Sequence, residues 1–298
     1  MRRYLTFVRS HPAFAAGHVI VAVAMLLAVV GPTIAPHDPE NVTDDVLASP
    51  SAEHLFGTDA SGFDVFSQVI AAFRVDIAIA VIATAASALV GVALGTIAGF
   101  EFGGRVGRAS SWLILRMADM VQALPVFVLA LALVGMTGPS LRNVIIAIAF
   151  VNAPIFLRLT RSTVLVTQRE SYVEAAHALA FSDRRIIARH VLPNSIEPVL
   201  ANVSIGVGLA ILLTSGLSFL GAGVKPPTPE WGTIIANGAP NLVTGEWWVS
   251  VLPGIVLAVT VLGFALVGDC LRRYWDRAGA SQLDAGMTTP RTIDVATA

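Results

Sequence analysis

The stretch IAIAVIATAASALVGVALGTIAGF, residues 77–100, carries no charged side chain. It is long enough to cross a bilayer as a helix, because a span needs about 20 mainly apolar residues for a hydrocarbon layer of roughly 30 Å. Five more segments are mostly apolar and of roughly this length, at 13–35, 112–136, 143–159, 196–219 and 249–270. The sequence therefore predicts an all-α polytopic membrane protein with six transmembrane helices.

The composition of the whole chain agrees with this fold class. Of the 298 residues, 55% are hydrophobic and 13% are charged, whereas soluble domains carry about 25% charged residues. The single cysteine, Cys270, excludes an intramolecular disulfide and any multi-cysteine metal site. The single lysine, Lys225, precedes Pro226, so it cannot belong to a Gly-Lys-Ser/Thr phosphate-binding loop. If transport uses ATP, we expect the motor to be another chain.

The arginines predict the orientation of the helices. On one side of the predicted membrane, here called the arginine-rich side, lie Arg2, Arg3, Arg9, Arg105, Arg108, Arg158, Arg161, Arg169, Arg184, Arg185, Arg189, Arg272, Arg273 and Arg277. The opposite loops, here called the acidic side, contain Asp38, Glu40, Asp44, Asp45, Glu53, Asp59, Asp64, Glu230 and Glu246. Because basic loops stay inside, we predict that the arginine-rich side and both termini are cytoplasmic.

The spans and loops divide the chain into four parts. Residues 1–35 form the N-terminus and first span, 36–76 an extracytoplasmic segment, 77–270 a domain of five spans, and 271–298 a cytoplasmic tail that we expect to be disordered from 278. The five-span domain includes a long loop on the arginine-rich side, residues 160–195.

Small and charged residues inside the spans predict helix contacts. Gly91, Gly95 and Gly99 recur every four residues on one face, which is typical of a helix that packs closely against a neighbour. Arg116 and Asp119 lie three residues apart, and intramembrane charges are commonly paired. We expect these two side chains to pair with each other.

Four polar residues within the spans are candidates to line a transport pathway: Asn152, Asn202, Ser204 and Thr214. Hydrogen bonding between helices is the favoured alternative for each of them. On the acidic side, His37 and His54 lie near carboxylates but without metal-ligand spacing. A solvated acidic loop is therefore expected there, and no metal site is predicted. Trp231, Trp247 and Trp248 are expected at the membrane interface.

The loop between the fourth and fifth spans contains the sequence EAAHALAFSDRRIIARHVLPN, residues 174–194. Apolar positions at helical spacing predict one short helix, and Ser182 then predicts an N-cap with Asp183 in the first turn of a second helix. We expect Pro193 to stop this second helix. Arg185 and Arg189 are four residues apart and share a face, which fits either an acidic protein partner or anionic lipid.

This segment resembles the EAA loop of binding-protein-dependent ABC importer permeases. Glu174, Ala175 and Ala176 match the start of that motif, and Val191 to Pro193 match its end. Ala180 stands where the motif has glycine. If the turn requires a positive φ, alanine there costs about 1 kcal/mol.

Other segments resemble the peptide-type branch (the DppC/OppC type) of this family. They are HLFGTDASGFDVFSQVI at 54–70, LSFLGAGVKPPTPEWG at 217–232 and PGIVLAVTVLGFALVGDCLRRYWD at 253–276. Phe63 and Gln68 replace two arginines of the external motif. The resemblance covers roughly residues 10–277 and implies a type I importer with a MetI-like permease core in a bacterial inner membrane.

The resemblance also implies partners and roles. A second, homologous permease, a cytoplasmic ATPase that binds ATP and Mg, and an external substrate-binding protein would complete the importer, whereas this chain would hold no cofactor, catalyse no reaction by itself and bind no nucleic acid. Coupling to the ATPase would involve Glu174, Ala175, Ala176, Ala180, Ser182, Asp183, Arg185 and Arg189. The expected cargo is a dipeptide or oligopeptide, with nickel or another small solute as the alternative. An autonomous secondary transporter and a membrane scaffold or receptor are the alternatives from other classes.

Overall fold

The computed structural model describes residues 2–100, 104–225 and 227–287. Within these ranges the regular structure is helical, apart from one isolated bridge between Thr58 and Asp64. The long helices are α2 (Pro12–Ile34), α3 (Val65–Gly99), α6 (Leu141–Thr167), α10 (Glu197–Phe219) and α12 (Trp248–Met287). The shorter ones are α1 (Arg2–Arg9), α4 (Gly104–Gln122), α5 (Val126–Thr137), α7 (Ser171–Ala178), α8 (Asp183–Ile186), a π-helix (Ile187–Val191), α9 (Leu192–Ser195), α11 (Trp231–Gly238) and a 3₁₀ turn (Ala239–Leu242).

Five helices in the described ranges are long and apolar enough to cross a membrane, and the count reaches six only if α4 and α5 together make one span. These two helices meet at an angle of 87°. The prediction of one continuous helix over 112–136 is therefore wrong. Pro125 explains the break, since proline has no N–H to donate and disfavours helical geometry in the residue before it.

Three of the long helices extend beyond the predicted spans. Helix α3 begins at Val65 rather than at 77, because the Asp64 carboxylate caps it by accepting the Ser67 N–H at 2.8 Å. Helix α12 continues beyond the predicted span end at 270 to Met287, so the predicted disorder over 278–287 is wrong. Residues 288–298 lie outside the described ranges. Hydropathy detects only the part of a helix that meets lipid, and polar turns can continue it on either side.

The predicted close packing of the glycine face is confirmed. A Cβ atom on Gly91 would lie 2.5 Å from the Phe156 Cβ, and one on Gly95 would lie 2.6 Å from the Leu157 carbonyl oxygen. Gly99 meets the same helix one turn further on. The backbones of α3 and α6 therefore touch, and this contact forms the centre of the helix bundle.

Each end of the bundle carries a compact layer of shorter elements. At the arginine-rich end, the side chain of Gln168 donates to the Gly99 carbonyl at 3.3 Å, which ties the end of α6 to the end of α3. At the acidic end, residues 36–64 and α11 pack on the first turns of α3 and α12, and we call these two pieces the acidic-side cap. Its Trp231 indole donates to the Val69 carbonyl at 3.2 Å.

Candidate functional site

Residues 170–195, here called the docking segment, form α7, a tight turn and a second helical stretch, as predicted. Ser182 is the N-cap of α8, and its carbonyl accepts the N–H groups of Arg185 and Ile186 at 2.9 and 3.0 Å. Its hydroxyl makes no capping hydrogen bond. Asp183 lies in the first turn, where a negative charge favours the helix dipole.

The turn between the two helices requires the left-handed conformation. Ala180 has a φ of +57°, a region that favours glycine because a Cβ approaches the neighbouring carbonyl there. Its N–H donates to the His177 carbonyl at 2.9 Å, and the next N–H, of Phe181, donates to the Ala176 carbonyl at 3.2 Å. These two bonds terminate α7 and hold Ala180 in the left-handed conformation. The motif has glycine at this position.

Pro193 does not stop the second helix, contrary to the prediction. The backbone widens into a π-helix over Ile187–Val191 and continues through Pro193 to Ser195. A proline ring clashes with the carbonyl four residues before it, here that of Arg189. The wider π turn accommodates this clash, because its hydrogen bonds skip one more residue, as the bond from the Leu192 N–H to the Ile187 carbonyl does.

A small apolar core holds the docking segment against the bundle. Val173, Ile186 and Val191 are fully buried, and Ala176 nearly so. They pack with Phe100 and Val164 from the ends of α3 and α6. The segment is therefore a folded unit, and the core that it shares with the ends of α3 and α6 fixes its position relative to these two helices.

The charged residues of the docking segment point away from this core. Glu174, Asp183, Arg184, Arg185 and Arg189 are exposed, as are Ala175, Ala180 and Ser182. The guanidinium of Arg185 lies 4.3 Å from the centroid of the Phe181 ring, a cation–π contact that orients it. The predicted coupling residues are thus exposed, with the exception of Ala176, which belongs to the core of the segment.

The four predicted pathway residues do not form a cluster. Ser204 donates to the Phe264 carbonyl at 2.7 Å and so joins α10 to α12, while the buried Thr214 donates to Ala210 within its own helix at 2.9 Å. Asn152 is buried in α6, and Asn202 is half-buried in α10. Helix hydrogen bonding accounts for the two hydroxyls, and a pathway role for any of the four stays a prediction.

The predicted pair of Arg116 and Asp119 is wrong. Asp119 instead accepts from Arg158 of α6 at 2.7 Å, with both side chains about half exposed. This ion pair joins α4 to α6. Arg116 was the expected partner because it is close to Asp119 in the sequence. Arg158 comes within reach of Asp119 only because α4 and α6 pack together.

Buried carboxyl groups that the sequence analysis missed lie next to the acidic-side cap, at the start of α11 and in α3. Glu230 is fully buried, and its carboxylate caps α11 by accepting the N–H of Gly232 and the N–H and hydroxyl of Thr233 at 2.9 to 3.1 Å. Asp76 is also fully buried and accepts the Trp231 N–H at 3.1 Å. An acidic residue just before an apolar run is a capping signal for Glu230, whereas Asp76 has no such signal.

The expectation that Trp231 lies at the membrane interface is also wrong. Its side chain is fully buried and packs edge-on against Phe73, with the ring centroids 4.7 Å apart. Trp247 is half exposed. The interface prediction treated three tryptophans alike, but α11 folds back into the bundle and takes Trp231 with it.

The predicted solvated loop around His54 is also wrong. His54 is 4% exposed and Asp64 is 1% exposed, and the His54 Nδ1 lies 2.9 Å from the Asp64 Oδ1. Nearby, Asp59 accepts the N–H groups of Ser61 and Phe63 at 2.8 and 2.9 Å. Burial nevertheless raises the pKa of the Asp59 carboxyl, since the low dielectric disfavours its charged form. The 36–64 segment therefore has a polar interior of its own.

Comparison with known proteins gives consistent matches. The description of the family whose model matches residues 91–278 is "binding-protein-dependent transport system inner membrane component". A dipeptide transport system permease protein of Alkalihalophilus pseudofirmus is 38% identical over 261 residues, which cover 87% of this chain and 84% of that protein. A probable D,D-dipeptide transport system permease protein of Escherichia coli is 37% identical over 89% of this chain and 87% of that protein.

A third relative, a glutathione transport system permease protein of Pectobacterium atrosepticum, is 34% identical over 91% of this chain and 88% of that protein. Among solved structures, an inward-facing MetNI methionine ABC transporter matches with a TM-score of 0.56 at 15% identity, over 69% of this chain and 95% of that chain. An amino acid ABC transporter matches with a TM-score of 0.52 at 14% identity. At these identities the structural matches establish the fold, which is the all-helical permease core predicted from the sequence.

Proposed function

We infer the function from one premise: this chain belongs to the binding-protein-dependent transport system inner membrane component family, whose model covers more than half of its residues. It is a multi-pass transmembrane permease subunit of an ABC importer. The chain itself is not the enzyme of the system, and ATP with Mg would be bound and hydrolysed by a separate cytoplasmic ATPase.

The proposed cargo is a dipeptide or oligopeptide. Support comes from relatives named for dipeptide transport, which align with 87% or more of this chain, and from a relative named for glutathione, itself a tripeptide. An extracytoplasmic substrate-binding protein would deliver the peptide to the acidic side. A second, homologous permease would pack against the exposed apolar faces of the spans and complete the pathway.

The proposed contact with the ATPase is the docking segment, and the observation that carries it is the separation of its charged surface from its apolar core. Glu174, Arg185 and Arg189 are exposed, while the core beneath connects to α3 and α6. Movement of a partner bound to this surface would therefore be transmitted to those two helices. In this role the arginine-rich side, and with it both termini, would be cytoplasmic, as the arginine distribution predicts.

The test is co-purification of the chain with the ATPase, comparing wild type with Glu174→Lys. Reversing one charge within an interface commonly changes binding by more than about 1.4 kcal/mol, which is a tenfold change in affinity. We therefore expect at least a tenfold loss of ATPase binding and a matching loss of ATP-driven peptide uptake in proteoliposomes.

The matched control is Glu197→Lys, which makes the same charge change at an exposed position in the first turn of α10, outside the docking segment. It should retain ATPase binding. If wild type purifies without an ATPase and moves substrate on an ion gradient, the importer assignment is wrong and the secondary-transporter alternative replaces it.

A further inference from the structure

Three side chains with metal-binding atoms meet in the acidic-side cap. His37 follows α2, His54 lies in the middle of the 36–64 segment, and Asp64 caps α3. Each offers one ligand atom, and the three atoms lie within 4.8 Å of one another. The two imidazole rings lie with their centroids 4.8 Å apart. The fold thus assembles from distant positions a cluster for which the sequence gives no motif.

One atom of this cluster makes no hydrogen bond with any residue that the structure describes. The His37 Nδ1 is buried and has no hydrogen-bond partner, although the side chain as a whole is 31% exposed. Buried polar atoms without a partner are rare in native proteins, and a bound water or ion is one explanation for them. This nitrogen lies 3.8 Å from the Asp64 Oδ2, too far for a hydrogen bond. Two ligands of one tetrahedral zinc ion, each about 2.1 Å from the metal, lie about 3.4 Å apart.

The surrounding groups have the arrangement of a second coordination shell. Asp64 is fixed by the Ser67 N–H at 2.8 Å, and the Ser67 hydroxyl in turn accepts the backbone N–H of His37 at 3.0 Å. The His54 Nε2 lies 3.7 Å from the Asp45 Oδ2. If His54 ligates through Nδ1, its ring proton moves to Nε2, where the Asp45 carboxylate faces it. A carboxylate behind a ligating histidine orients the ring and raises its basicity.

We propose that His37, His54 and Asp64 bind one Zn²⁺ ion in the acidic-side cap, with water as the fourth ligand. Two imidazole nitrogens favour zinc over calcium or magnesium, which prefer oxygen ligands. The ion would join the end of α2 and the 36–64 segment to the first turn of α3. Its role would be to hold the cap in place.

The test is a zinc titration of the purified full-length chain in detergent, after removal of metal with EDTA. By isothermal titration calorimetry, wild type should bind one Zn²⁺ per chain. His37→Gln should weaken binding at least tenfold, because it removes a ligand. Cobalt substitution adds a spectroscopic test, since tetrahedral Co²⁺ absorbs strongly in the visible range, and this absorption should be lost in His37→Gln.

The matched control is Glu53→Gln, which removes an exposed carboxylate adjacent to His54 in the sequence and should leave zinc binding unchanged. Because the His37 Nδ1 makes no hydrogen bond within the described residues, His37→Gln should melt like wild type in EDTA, and only wild type should gain thermal stability from Zn²⁺. Equal zinc binding by wild type and His37→Gln, or no binding by wild type, would overturn the proposal. Transport is not measured here, so either outcome leaves the importer assignment untouched.

Discussion

At the arginine-rich end of the molecule the side chains of Glu174, Arg185 and Arg189 are exposed, whereas at the acidic end those of Asp64 and Glu230 are at most 1% exposed. The two ends have similar elements, namely short helices and tight turns that cover the ends of long helices. They differ in what the charges contact. Charges of the docking segment face outward over an apolar core, while Asp64 and Glu230 at the acidic end face inward and accept N–H groups.

The difference follows from the energetics of a charged group. A carboxylate loses several kcal/mol on leaving water unless donors replace the lost hydration, and Glu230 meets this condition with three hydrogen bonds. Glu230 therefore stabilises its own fold and is not accessible to a partner protein. An exposed charge contributes little to stability but remains able to bind. Substitutions should therefore affect stability at the acidic end and binding at the arginine-rich end.

The largest effect is expected for Glu230→Ala. The substitution leaves the N–H groups of Gly232 and Thr233 without their acceptor at a buried helix start, and each orphaned donor costs about 1–3 kcal/mol. We expect a loss of about 4 kcal/mol in the free energy of unfolding, measured by chemical denaturation in detergent. The control Glu53→Ala removes an exposed carboxylate of the same cap and should change stability by less than about 0.5 kcal/mol. Equal effects of the two substitutions would contradict the expected difference between buried and exposed carboxylates.

A smaller loss is expected for Ile186→Ala, which tests the core of the docking segment. Ile186 is fully buried, and truncating such a side chain to alanine typically costs about 3 kcal/mol. Local hydrogen exchange of residues 170–195 should rise, and ATPase binding should fall with it. Leu179→Ala is the control, because Leu179 lies in the same segment but is 69% exposed. If both variants exchange alike, the segment has no core of its own.

The smallest effect, and a gain, is expected for Ala180→Gly. Relief of the positive φ is worth about 1–2 kcal/mol, and the greater entropy of glycine in the unfolded chain removes about 0.4–1 kcal/mol of it. The net gain should be about 0.5 kcal/mol. Ala175→Gly, at an exposed position in the interior of α7, should instead lose about 1 kcal/mol. Thermal unfolding of the two variants against wild type measures this difference in sign, and a loss in both would show that the turn does not require a left-handed residue.

The sequence predicted the spans well because burial in lipid is a property of composition over about 20 residues. It also predicted that the glycine face of α3 packs closely against a neighbouring helix, since only small residues allow helix backbones to touch, but only the structure identifies that neighbour as α6. The sequence also identified Ala180 as the departure from the motif. The sequence-based predictions were wrong where the packing of helices or the local backbone geometry overrode a pattern read from neighbouring residues. Asp119 pairs with a residue 39 positions away, and Pro193 is accommodated by a π turn that no propensity scale contains.

The membrane class, the order of the spans, the arginine asymmetry and the family motifs were determined by the sequence itself, because each depends on residues close together along the chain. The tertiary structure decided which charges are buried and what they contact. Asp76 reaches the start of α11, and His37 reaches Asp64, only after α2, α3 and α11 have packed together. These contacts depend on relative helix positions to within about an ångström, and the periodicity of a single sequence does not contain that information.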